Sequence, residues 1–329
     1  MKKEETTGLR IYRIQGKETV PVSKWKVPSL RRIAKDDRTH IRVLNFGCPE
    51  KSMRFNPVQH RYLPTLLDCN RLASEIIWQP YAENFFAGKE VFWAQSCMNM
   101  LTAAIHFFVN YKRLPYDKDG TLLVPVYKED PETHYRRQTM RALDDTGNFV
   151  EPSYWLGRYS DLPHVLSFLS RDYRDIFEIL ETDAETYPLI LPFITAYNNK
   201  AMDQLEGMVA TLRVILGQIA TKETFWILHK DGDEFTLRDG GTDYLAVVTE
   251  GFPTWGAAIL NALVTGTKPS TYQIRKKGNA TAERILEYES YAFPSEAVKE
   301  DILIENYNRV NKDISDMINE ITHEYGNNM

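Results

Sequence analysis

The stretch Leu205-Glu-Gly-Met-Val-Ala-Thr-Leu-Arg-Val-Ile-Leu-Gly-Gln-Ile219 sets Leu205, Met208, Val209, Leu212, Leu216 and Ile219 three and four residues apart. That spacing lines one side of an α-helix, the side that a globular helix buries. The same period recurs outward from it. Leu63, Leu66, Leu67, Ile76 and Ile77 share a helical face, and Leu166, Leu169, Tyr173, Phe177 and Leu180 share another. The second of these is predicted to start at Ser160 and Pro163, where a hydroxyl can cap free amides and proline suits the first turn. Val91 to Val109 is nearly all apolar over the length of a membrane span. Gln95, Ser96, Asn99, Thr102 and His106 are spread around all its faces, which predicts a buried core helix instead. From about Val58 the chain reads as mostly α.

Shorter elements flank this block. Residues 9–14 and 41–46 alternate or run apolar like strands, with a connector from Lys24 to Lys35 that holds a short helix at Ser29–Ala34. Tyr244 to Thr249 reads as a buried strand, Ala257 to Val264 as a helix, and the polar run Thr265 to Ala282 as a linker. Residues 114–154, rich in charge and proline, read as a solvated insertion between helices. Its Arg136, Arg137 and Arg141 form one positive cluster, expected on a solvated helix face, or else against a phosphate or an acidic partner. Near the C-terminus, Leu303, Tyr307, Val310, Ile314, Met317 and Ile321 make a heptad seam, too short to stand alone and so expected against the body or a partner helix.

Composition narrows the function. With 40 Lys+Arg against 45 Asp+Glu the net charge is -5, which disfavours wholesale coating of nucleic acid. Cys48, Cys69 and Cys97 show no paired spacing and suit a reducing compartment. The N-terminal octet has no apolar core for a signal peptide, so a cytoplasmic location is expected. A phosphate-cradling loop needs GxxxxGK[ST], but Gly16-Lys17 is followed by Glu18 and has Ile11 where the first glycine belongs. Leu245 to Glu250 resembles a magnesium-holding strand end, yet Thr249 stands where the aspartate is needed. The seven histidines show neither HExxH nor HxH spacing, and His106 reads as a hydrogen-bonded core histidine. His60 with Asp68 and Cys69 has no supporting spacing. Asp231-Gly-Asp233-Glu234 lacks the glycine and the glutamate of a calcium loop. No catalytic residue, cofactor or metal is expected.

One set of segments carries a resemblance. Met53-Arg-Phe-Asn-Pro57 with Arg61-Tyr62, then Phe92-Trp93 opening the apolar helix, resembles TraG/MobC-type conjugative coupling proteins of Bacteroidota. So, in order, do Tyr159-Ser-Asp-Leu-Pro-His-Val-Leu-Ser-Phe-Leu169, Asn199-Lys-Ala-Met-Asp-Gln-Leu-Glu-Gly-Met208, Ala210 to Val214, and Ala220 to Trp226. The match runs from about Lys24 to Gly278. Such proteins are membrane-associated hexameric ATPases that link a relaxase–DNA complex to a type IV secretion channel, with an all-α domain inserted in a RecA-like motor. The resemblance implies an all-α domain over 58–225 that includes the charged insertion 114–154. It also implies a remnant of the motor's α/β sheet in 1–57 and 226–278, and a linker and C-terminal helix over 279–329. The family's Walker A and transmembrane segments would precede residue 1. Its Walker B segment would follow Lys276-Lys277-Gly278, where Asn279-Ala280 passes into the C-terminal helix instead. No family catalytic residue carries over.

The expectation is therefore a non-catalytic recognition or adaptor protein of conjugative DNA transfer. It would bind a relaxase, a relaxase–DNA complex or the full-length coupling protein, and touch single-stranded DNA only indirectly. Candidate contacts are Arg136, Arg137, Arg141, Leu303, Tyr307, Val310 and Ile314. No membrane span is expected in this chain, and partners would hold it at the cytoplasmic face of the inner membrane. The alternatives are a divergent coupling-type ATPase completed by another subunit, or a truncated inactive relative.

Overall fold

The structure is a computed structural model that describes residues 7–15, 18–21, 39–47, 49, 52–54, 56–60, 62–78, 90–117, 121–129, 131, 136–229, 242–248, 270–274 and 300–326. In chain order these contain β1 (Thr7–Gln15), β2 (Glu18–Pro21), β3 (Thr39–Leu44), α1 (Leu66–Trp78) and α2 (Glu90–Asn110). Next come β4 (Leu114–Tyr116), β5 (Val124–Glu129), β6 (Arg136–Leu143), β7 (Phe149–Val150) and β8 (Tyr154–Leu156). Helices α3 (Leu162–Leu169), α4 (Tyr173–Leu180), α5 (Tyr187–Asn198), α6 (Met202–Ile219) and α7 (Lys222–Ile227) follow, then β9 (Thr242–Val248), β10 (Ser270–Ile274) and α8 (Glu300–Gly326). The described residues are mostly helical. The expected helices at Ser29–Ala34 and Ala257–Val264 lie outside them, as do Gly16-Lys17, Cys48 and Glu250.

The chain divides into two units. One comprises Met1–Pro57, Glu75–Glu90 and Val214–Lys312. Its sheet runs β10-β1-β9-β3, with β2 also on β1. β1 pairs antiparallel with β2, β9 and β10, while β3 pairs parallel with β9 from Thr39 opposite Thr242 to Leu44 opposite Val247. β10 corrects the expected linker: Ser270–Ile274 is too polar to read as a strand alone, and its backbone pairing with Thr7–Ile11 makes it one. Elsewhere in this unit Thr221 caps α7, accepting from the Thr224 amide. Phe225 then packs its ring 4.8 Å from Tyr307, and the Asn306 side-chain amide donates to the Phe225 carbonyl at 3.0 Å. The Arg54 guanidinium lies 4.0 Å over the Trp226 ring and donates to the Trp226 carbonyl.

The other unit comprises Val58–Ser74, Val91–Arg213 and Asp313–Met329. Its centre is α2, whose residues from Met100 to Val109 are all buried, so that no face is left polar. The polar residues scattered on it are satisfied locally: Thr102 accepts from the Asn70 amide at 3.2 Å, and Ser96 donates to the Phe92 carbonyl at 3.0 Å. Phe108 meets Phe168 of α3 edge-on at 5.4 Å. No described helix is long and apolar enough to cross a membrane.

Two helical readings change. Leu63 is buried but precedes α1, and Leu67 faces solvent, because the helix begins only at Leu66. The run from Leu166 to Leu180 is two helices, since Ser170 folds its hydroxyl back onto the Ser167 carbonyl and Asp172 opens a new turn. The charged insertion is not helical but β: β5-β6-β7 form a three-stranded antiparallel sheet, and β4 pairs with β8.

Glycines mark the closest approaches. A Cβ on Gly157 would overlap the Phe108 carbonyl oxygen and sit 2.9 Å from the Ser160 Cβ, whereas one on Gly217 of α6 meets nothing within 4 Å. Gly157→Ala should cost about 2 kcal/mol or more, because backbone cannot yield as a side chain can. Gly217→Ala should instead stabilise by about 0.5–1 kcal/mol by restricting the unfolded chain. Urea denaturation of both variants checks the contrast, and equal effects would contradict it.

Candidate functional site

The seven sequence-predicted contact residues do not form one surface. Leu303, Val310 and Ile314 are only 6%, 0% and 0% exposed, so the seam is filled by the chain's own packing and offers a partner nothing. Tyr307 is half-buried against Phe225 and, with Ala220, Thr221, Lys222, Glu223 and Ile304, lines an open cleft of about 470 Å³. The arginines lie on strand β6, not on a helix. Strand alternation separates them, with Arg136 opposite Glu129 and Arg137 opposite Lys128.

Polar chemistry in the helical unit gathers instead at three places that sequence spacing does not show. The first is Asp161, directly before α3. Its Oδ1 accepts from the His164 amide at 2.8 Å, which caps the helix, and lies 2.6 Å from His164 Nδ1. Both residues are 0% exposed. The far nitrogen, Nε2, stands 3.4 Å from Asp313 Oδ2 of α8. Asp161, and not Ser160, is thus the N-cap; the Ser160 hydroxyl donates to the Val58 carbonyl at 2.5 Å. The signal was available in the sequence, because Pro163 at the start of a helix points to a cap just before Leu162.

The second is His106, whose Nδ1 lies 2.7 Å from Asp183 Oδ2 and whose Nε2 lies 3.3 Å from Glu185. It is the hydrogen-bonded core histidine that its place on an apolar helix predicted. Burial pulls its pKa down, but the Asp183 hydrogen bond and the charges of Asp183 and Glu185 outweigh it and hold the imidazole above its usual value. Glu185 is exposed and screened, so Asp183 carries most of that effect. Burial likewise pushes Asp183 up, and its bond to His106, that ring's charge and the Glu185 amide bring it below the usual carboxylate range. His60 is depressed by burial and by the charges of Arg113 and His106.

The third is Glu320 of α8, 2.8 Å from Lys112 Nζ and 3.5 Å from Arg158. Hydrogen bonding from Lys112 leads the effects that lower its pKa. It ties the last turns of α8 to the end of α2.

Nucleophilic chemistry has no foothold in the described thiols. Burial pushes Cys69 up to about 12, helped by the Asp68 charge, and pushes Cys97 to about 12 as well. Both remain protonated and inert at neutral pH. The His60, Asp68 and Cys69 grouping therefore gains no nucleophile from the structure. No family model matches the chain, and no curated protein or solved structure matches it either.

Two predictions follow from these pairs. Asp161→Ala removes both a cap and the partner of a buried imidazole, so it should cost about 3–5 kcal/mol against about 1 kcal/mol for a cap alone. Asp161→Asn keeps an acceptor and should recover part of the loss; an Asp161→Ala cost near 1 kcal/mol in urea denaturation would reduce the pair to simple capping. His106, raised in the folded state, stabilises fully below its unfolded pKa of 6.5, and that contribution disappears as pH rises through the folded value. Asp183, lowered in the folded state, contributes above its unfolded pKa of 3.8 and loses this as pH falls through its folded value. His106→Leu should accordingly cost more stability at about pH 5.5 than at about pH 9. Equal costs at the two pH values would show that the pair is not charged.

Proposed function

We propose that this protein is a non-catalytic recognition or adaptor component of conjugative DNA transfer, related to the coupling proteins of type IV secretion. The observation that carries the reading is the parallel pairing of β3 with β9. The family resemblance implies that 41–46 and 244–249 are what remains of one motor sheet. A parallel pair requires a crossover between its strands, and here that crossover contains the helices α1 to α7. An all-α insertion between two motor strands would have this connectivity. The antiparallel pairings of β1 with β2, β9 and β10 are not motor-like, and they fit a remodelled remnant better than an intact one.

The resembling segment Tyr159–Leu169 adds a second support. It forms the Asp161-capped α3, with all eight helical residues buried. Residues of that kind are kept to hold a helical body together, which leaves recognition to its surface. The partner would be a relaxase, a relaxase–DNA complex or the full-length coupling protein, met at the cytoplasmic face of the inner membrane.

The test is capture of purified relaxase, alone and loaded on its nicked origin DNA, and of the coupling protein, all from the same transfer region. Affinity of about 10 μM or tighter for one of the three is expected. Failure to bind any of them, in a sample with a helical spectrum and a cooperative melt, overturns the proposal.

A further inference from the structure

The small sheet β5-β6-β7 has two unlike faces. Strand alternation puts residues 124, 126 and 128 of β5, 137, 139, 141 and 143 of β6, and 149 of β7 on one of them. The register agrees across the bulge between Pro125 and Tyr127: Val124 lies opposite Leu143, Lys128 opposite Arg137, and Leu143 opposite Phe149. The opposite face holds the fully buried Ala142 together with the exposed Tyr127 and Glu129.

The first face is open and mixes two characters. Val124 is 56% exposed and Phe149 68%, while Lys128 and Arg141 are exposed beside them. The Arg141 guanidinium lies 5.8 Å over the Phe149 ring. Lys128 and Arg141 hold positions on this face, and none of its strand positions carries a carboxylate. In a chain of net charge -5 that is a local reversal of sign. The nearby Asp144 is engaged in its own turn, accepting from the Thr146 amide and hydroxyl and from the Asn148 amide. Gly147, at φ +84°, lets that turn close.

We infer that this face docks an acidic, apolar-bearing segment of a partner protein, with the partner's carboxylates on Lys128 and Arg141 and its apolar side chains over Val124, Leu143 and Phe149. Exposed apolar area beside exposed cations is stable in water only at a cost, and a segment carrying both complements removes it. A nucleic-acid strand fits less well. Its phosphates recur at every nucleotide, and Asp144, Asp145 and Glu151 flank Phe149 in sequence, whereas a peptide can place its charges selectively. The inference goes beyond the proposed function and holds whichever partner owns the segment.

The experiment uses the full chain and three fluorescent probes: a 14-residue peptide alternating Glu with Leu and Val, its Lys-for-Glu counterpart, and a 20-nucleotide oligo-dT. Saturable binding of the acidic peptide, weakened by raising salt from 50 to 300 mM, is expected. The double change Lys128→Glu with Arg141→Glu should weaken it at least tenfold, and Phe149→Ala several-fold. All three positions are exposed, so the variants should fold, and their melting curves check this. Equal binding of the basic peptide, unchanged binding by the charge-reversed variant, or no acidic-peptide binding at all overturns the inference. Preferential binding of oligo-dT overturns it too, in favour of a nucleic-acid surface. A chain that captures a relaxase yet ignores the acidic peptide fails this inference alone, and one that binds the peptide but none of the transfer proteins fails only the proposed function.

Discussion

A carboxylate shut away from water must find donors within its own chain, and Asp161 finds two on one residue, the amide and the imidazole of His164. This constraint organises the helical unit. It sets where α3 begins and turns His164 inward, while the neighbouring Ser160 is bonded to the Val58 carbonyl. Because α3 starts there, Phe168 reaches Phe108, and Gly157 can pass against the backbone of α2 with no side chain in the way. Remove the donors and the same carboxylate would be an unsatisfied charge in the interior, a loss much larger than that of one hydrogen bond.

The two histidine–aspartate pairs share a composition and differ in setting. His164 is fully buried, so its partnership with Asp161 is shut off from solvent. His106 sits nearer the margin, between half-buried Asp183 and exposed Glu185, and it responds to pH because protonation is what satisfies both neighbours. Neither pair stands beside an activated thiol, since burial keeps Cys69 and Cys97 protonated.

On the proposed reading, recognition rests with what the packing leaves outside. The heptad seam of α8 is spent on the chain's own interior, and Glu320 fastens the end of that helix to Lys112 and Arg158. The small sheet formed by residues 124–150 is different. Its few strands leave both faces partly open, and one of them keeps Val124, Phe149, Lys128 and Arg141 in solvent. A charged, proline-bearing stretch that resembles mere filler in sequence becomes a structured surface through the pairing of β5 with β6.

Local pattern by itself determined the helical character of the chain. The three-and-four spacing of Leu205 to Ile219, the apolar continuity of Val91 to Val109 and the core role of His106 are all one-dimensional signals, since burial of a helix face is written in its period. The strands near residues 9–14, 41–46 and 244–249 were legible for the same reason. Only the tertiary structure decided the rest. β10 is a strand because β1 lies beside it, and the run from Leu166 to Leu180 breaks because Ser170 turns back on its own backbone. The arginines at 136, 137 and 141 lie on a strand and not on a helix because β6 pairs with β5. His106 meets Asp183 across 77 residues, and His164 meets Asp313 across 149. No spacing encodes such encounters, because they depend on where whole helices come to rest.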